Sequence, residues 1–393
     1  MKKILKNKPN LLNFGFYIVL FSSLFIYIAM PLENETMQRI TSQAFIFVNA
    51  ISFIYCILNF KLSKSKQLDF IILIFIVSAA LLSLLFYNIS MSIPAFTIKL
   101  LSYMAIMLSM YYLDYIKIDR KLINYIFIIN FIISLWFVYL SLSEYAYKGH
   151  PTYLTLGYSN PNQTAMFLLF NIITLIAANN FYKNKIIKTL IFIITIYLSY
   201  LIYLTDSRIC FIVLIIIFVF NFRKKKFKIP KLAVFIITLT PILFMIVYTK
   251  LFTSNILLNF EFLGKAFYSG REHILLDVLE DIKNNMILGK LGLYQFENVH
   301  NGVLSIIVSL GLLGLILYYL YMLRVLFRVA QKLNNKTAYI AFCGILMVFV
   351  QSSAESALMV SGSVYAAAVS ILYLLTRVEI SNNTIQTKDE MRE

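Results

Sequence analysis

Apolar runs of about 20 residues, separated by short polar connections, recur along the whole sequence and leave few possible folds. An α-helix of that length crosses a hydrocarbon core of about 30 Å. The runs are continuous, whereas the strands of a membrane barrel alternate apolar and polar residues over about 10 positions. The sequence therefore predicts an all-α, polytopic membrane protein.

About twelve runs are long enough to be membrane spans. The charged share of only 13% and the apolar share of 60% agree with a chain that lies mostly in lipid. We expect one integral membrane domain over 1–393, with a single large extracytoplasmic loop at 252–299 between spans nine and ten. The predicted spans are 12–30, 41–60, 68–87, 93–112, 122–141, 161–179, 185–204, 208–222, 232–251, 300–323, 337–353 and 360–376.

The net charge of +17 comes mainly from Lys and Arg in alternate connections between the runs. This distribution follows the positive-inside rule, so it predicts cytoplasmic N- and C-termini in a plasma membrane and argues against nucleic acid as a partner. The cations on the predicted inner side are Lys61, Lys64, Lys66, Lys117, Arg120, Lys121, Lys183, Lys185, Lys188, the run Arg223 to Lys226, Arg324, Arg328, Lys332 and Lys336.

Nothing in the sequence predicts a cofactor or a metal. The cysteines, Cys56, Cys210 and Cys343, lie in apolar runs without the Cys or His spacing of a structural zinc site. No glycine-rich phosphate loop is present, and nothing suggests a carboxylate pair with metal spacing.

The loop at 252–299 holds much of the polar sequence on the predicted outer side. Ser269 and Glu272 have the spacing of a capping box, and the apolar residues that follow fall on one face of a helix at about 270–288. Arg271 stands in the first turn of that helix, where free backbone N–H groups already favour an anion. We expect the helix to lie on the membrane or against the spans.

Arg208 is a second candidate for anion binding. Positions 208 and 223 are 15 residues apart, so the helix between them covers only about 22 Å. Because the basic run that begins at Arg223 belongs in water, Arg208 must lie near or below the outer boundary of the membrane. It either pairs with Asp206 or snorkels, or it faces a cavity that receives an anionic head group. Lys99, inside span four, poses the same alternative.

A polar loop precedes span six. Asn160 and Pro161 have the pattern of an N-cap and a first helical residue, which explains both without any function. The alternative is that this helix N-terminus, with Asn160 and Asn162, binds a sugar hydroxyl or a phosphate oxygen.

His300 and Asn301 end the large loop at the head of span ten. They are either a helix-end histidine with its cap, or a general base with a residue that positions the acceptor. Gly311 and Gly314, one turn apart on the following helix, predict close helix packing. Glu355 has no evident partner in the sequence, and we interpret it as a solvated carboxylate.

These residues resemble the signature of the O-antigen ligase and polymerase superfamily, which includes capsular repeat-unit polymerases. Its most specific part is His300-Asn301, nine residues, then Gly311-Leu312-Leu313-Gly314. The resemblance covers 157–314 and includes, in the expected order, Ser159-Asn160-Pro161-Asn162, Asp206-Ser207-Arg208, Gly270-Arg271 and the segment Ile287 to Gly292.

The resemblance implies a GT-C-like fold and an inverting, metal-independent glycosyltransferase of the outer membrane face. Its donor would be a polyprenyl-diphosphate-linked oligosaccharide, whose diphosphate is neutralised by Arg208 and Arg271 as it leaves. His300 would act on the acceptor hydroxyl, and Asn160, Asn162, Asp206, Asn301 and Lys99 are the expected substrate contacts. Membrane lipids, a flippase and a chain-length regulator are the implied partners.

We expect a repeat-unit polymerase, because the outer loop is modest and the chain is compact. Three other functions stay open from the sequence, one of which is a non-catalytic membrane scaffold; the Arg and His residues gathered on one face argue against that one. A ligase of the same superfamily would transfer a finished glycan to a separate acceptor, and the sequence gives no clean discriminator from a polymerase. A flippase for lipid-linked oligosaccharides would also be polytopic and basic, but the long loop, the lack of visible repeats and the shortage of charges inside spans argue against it.

Overall fold

The structure is a computed structural model that describes residues 9–86, 92–158, 160–222, 228–257, 260–262, 265–268, 271–283, 287–291, 299–355 and 363–378. The regular elements in these ranges are helices and two short strands. The α-helices are α1 (Pro9–Ala29), α2 (Glu35–Asn59), α3 (Lys64–Phe86), α4 (Ile93–Tyr112), α5 (Arg120–Ser141), α6 (Pro161–Phe181), α7 (Lys185–Leu204), α8 (Arg208–Phe222), α9 (Lys231–Thr238), α10 (Thr240–Thr253), α11 (Arg271–Lys283), α12 (Gly302–Ala330), α13 (Lys336–Gln351) and α14 (Ser363–Leu375), and a short 3₁₀ helix, Leu113–Tyr115, follows α4. The strands β1 (Glu261–Phe262) and β2 (Lys265–Ala266) pair antiparallel, with Glu261 opposite Ala266.

The prediction of a polytopic helical membrane protein is confirmed. Eight described helices, α1 to α7 and α12, are long and apolar enough to cross a membrane, and α9 with α10 makes a ninth if this pair, bent by 43°, is one span. The shorter apolar helices α8, α13 and α14 lie at the remaining predicted spans. The count of twelve membrane crossings stays a prediction.

The centre of the bundle is formed by helices that are apolar on all sides. Nearly every described residue of α13 and of α14 is buried, as is α6 from Thr164 to Ala178. α13 packs against α6, α8 and α14, and α14 also packs against α1 and α4. A helix without a polar face is stable only when it is surrounded by other apolar groups. In contrast, α3 and α7 leave large apolar side chains exposed on their outer faces, as expected of lipid-facing helices.

The start of α6 is fixed by the loop before it. The Asn160 side chain accepts a hydrogen bond from the Gln163 N–H at 3.1 Å, and Pro161 occupies the first turn, so the predicted N-cap is confirmed. Tyr158 donates its hydroxyl hydrogen to the Tyr27 carbonyl at 2.9 Å. Burial raises the pKa of the Tyr158 phenol, which keeps it a donor. These contacts hold the first turn of α6 in place at the end of the bundle.

α12 is broken at Gly311, which has φ +70° and ψ −177°, a backbone region that only glycine commonly adopts. The segment 287–291 fills the break: the Lys290 N–H donates to the Val308 carbonyl at 2.8 Å, and the Leu313 N–H donates to the Ile287 carbonyl at 3.2 Å. Gly311 therefore lets a loop approach the helix. The expected role of Gly311 in helix-to-helix packing is therefore wrong, because a loop and not a second helix packs against it.

α11 is the amphipathic helix predicted at about 270–288, but it spans Arg271–Lys283, and residues 284–286 and the cap residue Ser269 lie outside the described part. Its buried face, Leu275, Val278 and Ile282, forms a second small core with α10 and the first turns of α12. The helix therefore packs against the spans, the second of the two expected arrangements.

Candidate functional site

A cavity of about 310 Å³ lies where the described loops and helix ends of one end of the bundle meet. The start of α6, the connection from α7 to α8, α10, α11, the head of α12 and the end of α13 all contribute to it. Its apolar and aromatic lining residues are Ile209, Ile212, Phe244, Tyr248, Phe267, Leu275 and Ala354, and its polar lining residues are Asn162, Asp206, Ser207, Arg208, His300, Ser353 and Glu355.

Four of the residues expected from the sequence to bind or transform a substrate meet in this cavity: Asn162, Asp206, Arg208 and His300. Asn162 lies in the first turn of α6, and His300 is 138 positions later (300 − 162). Their convergence was expected from the resemblance alone, because hydropathy does not say which helix ends are neighbours. Concave sites with a few convergent polar groups on apolar walls are the usual form of a binding site.

Arg208 is the first residue of α8 and is half-buried. Its Nη1 and Nη2 atoms each donate to the Ala266 carbonyl of β2 at 3.4 Å. Asp206, two residues before it, has φ +56°, which is uncommon for a residue other than glycine. That conformation ends α7, with the Asp206 N–H bonded to the Tyr203 carbonyl, and turns the chain so that α8 begins at the cavity wall.

His300 pairs with Glu355 across the cavity: its Nδ1 atom lies 3.4 Å from Glu355 Oε2, with the two side chains 21% and 14% exposed. An ionised carboxylate only accepts, so a neutral His300 that keeps this contact carries its proton on Nδ1 and has Nε2 as the acceptor. His300 also has a positive φ of +49°. The interpretation of Glu355 as a solvated carboxylate is wrong, and the sequence held no signal that joins two residues 55 positions apart.

Asn301 is the cap of α12, the first of the two roles expected for it from the sequence. Its side chain is 0% exposed, accepts from the N–H groups of Val303 and Leu304 at 3.0 and 3.1 Å, and donates to the carbonyls of Ser353 and Pro241 at 3.1 and 3.3 Å. The amide therefore caps α12 and joins it to the end of α13 and to α10. Asn301 is not part of the lining of the cavity, and its expected contact with the substrate stays a prediction.

The wall from α10 and α11 carries a second polar contact. Tyr248 donates its hydroxyl hydrogen to Glu272 Oε2 at 3.2 Å, and Glu272 is buried. Arg271 begins α11 as predicted, which puts its backbone beside this wall, but its side chain is outside what the structure describes. Its expected role in binding the diphosphate stays a prediction.

The other expected residues are not part of the lining of this cavity. Asn160 is used as the cap of α6, one residue before the first turn that reaches the cavity. Lys99 is half-buried on α4, a helix that packs mainly against α2 and α14.

A second cavity of about 420 Å³ adjoins the first. Asp206, Ser207 and Arg208 line both, and the second is otherwise bounded by the ends of α7 and the loop after α5: Thr152, Tyr153, Ile202, Tyr203, Leu204 and Phe211. Arg208 thus stands between two spaces, each large enough for part of a substrate. Sequence reasoning did not predict this arrangement.

Over the described residues, no group of three or more His, Cys, Asp or Glu side chains is arranged to hold a metal ion. No model of a known protein family matches the chain, and a search of curated proteins gives no significant match. The functional assignment therefore depends on the residues of the site and on their geometry.

Proposed function

We propose that the protein is a membrane glycosyltransferase that joins oligosaccharide repeat units carried on polyprenyl diphosphate, with its reaction centre in the cavity between Arg208 and His300. The observation that carries this proposal is the meeting of a cation, Arg208, with a histidine–carboxylate pair in one partly apolar cavity. The cation can neutralise a diphosphate leaving group, and the histidine–carboxylate pair can accept the proton of an attacking sugar hydroxyl.

In this mechanism the acceptor hydroxyl attacks the anomeric carbon of the donor sugar from the face opposite the diphosphate. The hydroxyl proton passes to Nε2 of His300 while the bond between the anomeric carbon and the diphosphate oxygen breaks with its electron pair. Glu355 holds the His300 ring through Nδ1 and stabilises the imidazolium that forms. The configuration at the anomeric carbon is inverted.

Arg208 receives the charge of the departing diphosphate. A guanidinium is always protonated and matches phosphate oxygens in a bidentate manner, so it is suited to this role. The half-buried position of Arg208 at the head of α8 strengthens the interaction relative to water. Arg271, at the head of α11, is proposed as the second cation of the same site.

Two adjoining cavities support a reaction with two sugar substrates. The donor diphosphate is proposed to lie on the Arg208 side of the 310 Å³ cavity, with its sugar toward His300. Aromatic residues Tyr153 and Tyr203 of the second cavity offer flat surfaces on which sugar rings stack. Twelve spans, cytoplasmic termini and an outward-facing site belong to the same proposal.

The test is an assay with purified protein in vesicles, given lipid-diphosphate-linked repeat units and EDTA. A product ladder with repeat-unit spacing supports the polymerase. Transfer of a preformed glycan to a separate acceptor without a ladder would move the assignment to a ligase. If neither forms and the lipid-linked oligosaccharide crosses the bilayer instead, the protein is a flippase and the proposal fails.

A further inference from the structure

At the end of the bundle away from the cavity, charged side chains from four helices meet in what we call the cationic cluster. α12, 29 residues long and broken at Gly311, has His300 before its first residue and this cluster at its end. Its members are Lys66 and Asp69 of α3, Asp114 after α4, Arg324 and Arg328 of α12, Lys332 after α12, and Arg377 after α14.

The two carboxylates of the cluster are already engaged. Asp69, 0% exposed, accepts from Arg324 Nε at 3.1 Å and from Arg328 Nη1 at 2.7 Å. Asp114 lies 2.5 Å from Lys66 Nζ and accepts from the Tyr373 hydroxyl at 2.7 Å. The lysine of this pair is only 7% exposed. These contacts hold α3, α4, α12 and α14 together.

The cluster nevertheless keeps an excess of positive charge. It holds five cations against two carboxylates, a formal sum of +3 (5 − 2). The Nη2 atom of Arg328 is buried and donates no hydrogen bond to any described group, and its nearest carboxylate oxygen, Asp114 Oδ2, is 3.9 Å away. Like charges held close together in a partly buried place favour the binding of an anion.

A cavity of about 220 Å³ lies in this cluster, at the ends of α12 and α14. Three cations line it, Arg328, Lys332 and Arg377, together with the polar residues Asn334 and Thr376. Lys332 is exposed, and within the described part of the chain no carboxylate lies within ion-pair distance of it. The volume holds several water molecules at about 30 Å³ each, which is enough for a phosphate group.

We propose that this cavity binds a phosphate group, supplied by the head group of an anionic membrane lipid or by soluble phosphate. Arginine and lysine side chains bind phosphate oxygens through charge-assisted hydrogen bonds. The cavity lies at the ends of α12 and α14, among the basic residues that the charge pattern assigns to the cytoplasmic side. Basic pockets between membrane helices on that side commonly bind anionic lipid head groups. This inference does not rest on the proposed glycosyl transfer.

The experiment measures binding to the full-length protein in detergent by native mass spectrometry. The probes are phosphatidylglycerol, phosphatidylcholine with the same acyl chains, and inorganic phosphate alone. The variants are Lys332→Gln, which removes an exposed cation of the cavity, and Lys188→Gln, which removes an exposed lysine at the start of α7 and serves as the charge-matched control.

We expect phosphatidylglycerol to bind more tightly than phosphatidylcholine. Lys332→Gln should weaken the binding of phosphatidylglycerol about fivefold, and Lys188→Gln should leave it unchanged. Binding of inorganic phosphate that is lost in Lys332→Gln, without a preference for phosphatidylglycerol, would identify soluble phosphate as the source. Equal binding of every probe to wild type and Lys332→Gln would overturn the proposal. So would an equal loss in Lys188→Gln.

Discussion

His300 and Glu355 meet because the head of α12 and the end of α13 are tied by the backbone. The Gly302 N–H donates to the Ser352 carbonyl at 2.8 Å, and the Asn301 side chain donates to the Ser353 carbonyl at 3.1 Å. The imidazole is therefore held by the chain on one side and by a carboxylate on the other. A ring fixed in this way is suited to accept a proton from a bound hydroxyl.

The first prediction concerns this pair. His300→Ala should lower kcat about 10²- to 10⁴-fold with little change in KM for the donor, because the general base is lost while the diphosphate site remains. Glu355→Ala should lower kcat less than His300→Ala does. Glu355→Gln should recover part of that loss, since an amide oxygen still accepts from Nδ1. Steady-state kinetics of ladder formation measure all three.

The matched control is Glu280→Gln, which neutralises an exposed carboxylate on α11 outside the cavity. It should leave kcat and KM unchanged. A His300→Ala protein that inserts correctly and keeps near-normal turnover would contradict the role of His300. Glu355→Gln with no more activity than Glu355→Ala would contradict positioning through the hydrogen bond.

Residue types identified part of the site from the sequence alone. Arg208 and His300 were detectable because a cation and a histidine are rare and costly near an apolar run. The cap role of Asn301 was also among the expected alternatives, but its bond to the Ser353 carbonyl, 52 positions away, was not. Glu355 was not detectable, because its partner His300 lies 55 positions away. A cap and a substrate contact look the same in a sequence.

The second prediction separates these two roles for Asn301. Asn301→Ala should destabilise the protein by about 0.5–2 kcal/mol for the cap and by about 1–3 kcal/mol for the carbonyls of Pro241 and Ser353 left without a donor. Asn184→Ala, which removes the exposed cap of α7, should cost only the first amount. Thermal unfolding in detergent measures both. Equal destabilisation by the two variants would mean that Asn301 is only a cap.

At the scale of the helices, α12 holds the 287–291 segment of the large loop in place. At its break at Gly311, the Val308 carbonyl and the Leu313 N–H form hydrogen bonds with backbone groups of the 287–291 segment. Ser83 of α3 also donates to the Gly289 carbonyl at 2.7 Å. The glycine spacing was visible in the sequence, but what approaches the glycine depends on tertiary structure. The end of the large loop is thus fixed to α12 and α3.

The third prediction tests this attachment. Gly311→Ala should destabilise the protein strongly, because alanine is strained at φ +70° and its Cβ would overlap the Ile287 carbonyl. Gly149→Ala is the control, since Gly149 also has a positive φ of +81° but a Cβ there meets no atom within 4 Å. The control should cost about 1–2 kcal/mol. Similar unfolding temperatures for the two variants would contradict the fit of the loop into the break.

For the whole molecule, the helix boundaries follow the hydropathy of the sequence. Each predicted span coincides with a described helix or, at 232–251, with the bent pair α9 and α10. The basic connections were interpreted only as orientation signals. The structure shows that Lys66, Arg324 and Arg328 also join helices through Asp69 and Asp114, which depends on helix neighbours that hydropathy does not specify.

The fourth prediction concerns orientation in the membrane. Two cysteine variants test it. Glu144→Cys places a cysteine in the loop that contacts the end of α7, and Lys188→Cys places one at the start of the same helix. A membrane-impermeant maleimide on intact cells should label the first and not the second, because the loop is predicted to face outward. The native cysteines are buried, so background labelling should be low. The reverse pattern would place the cavity in the cytoplasm and exclude an outward-facing reaction.

The central claim is that the cavity at Arg208 is where the diphosphate leaves. The most direct measurement is the single-turnover rate of polyprenyl diphosphate release from the lipid-linked donor, in reconstituted wild type, Arg208→Ala and the control Arg39→Ala, which removes an exposed arginine of α2. We expect Arg208→Ala to slow release about 10²- to 10³-fold, because the charge of the leaving group is no longer neutralised, and Arg39→Ala to match wild type. Wild-type release by a folded Arg208→Ala protein would contradict the claim.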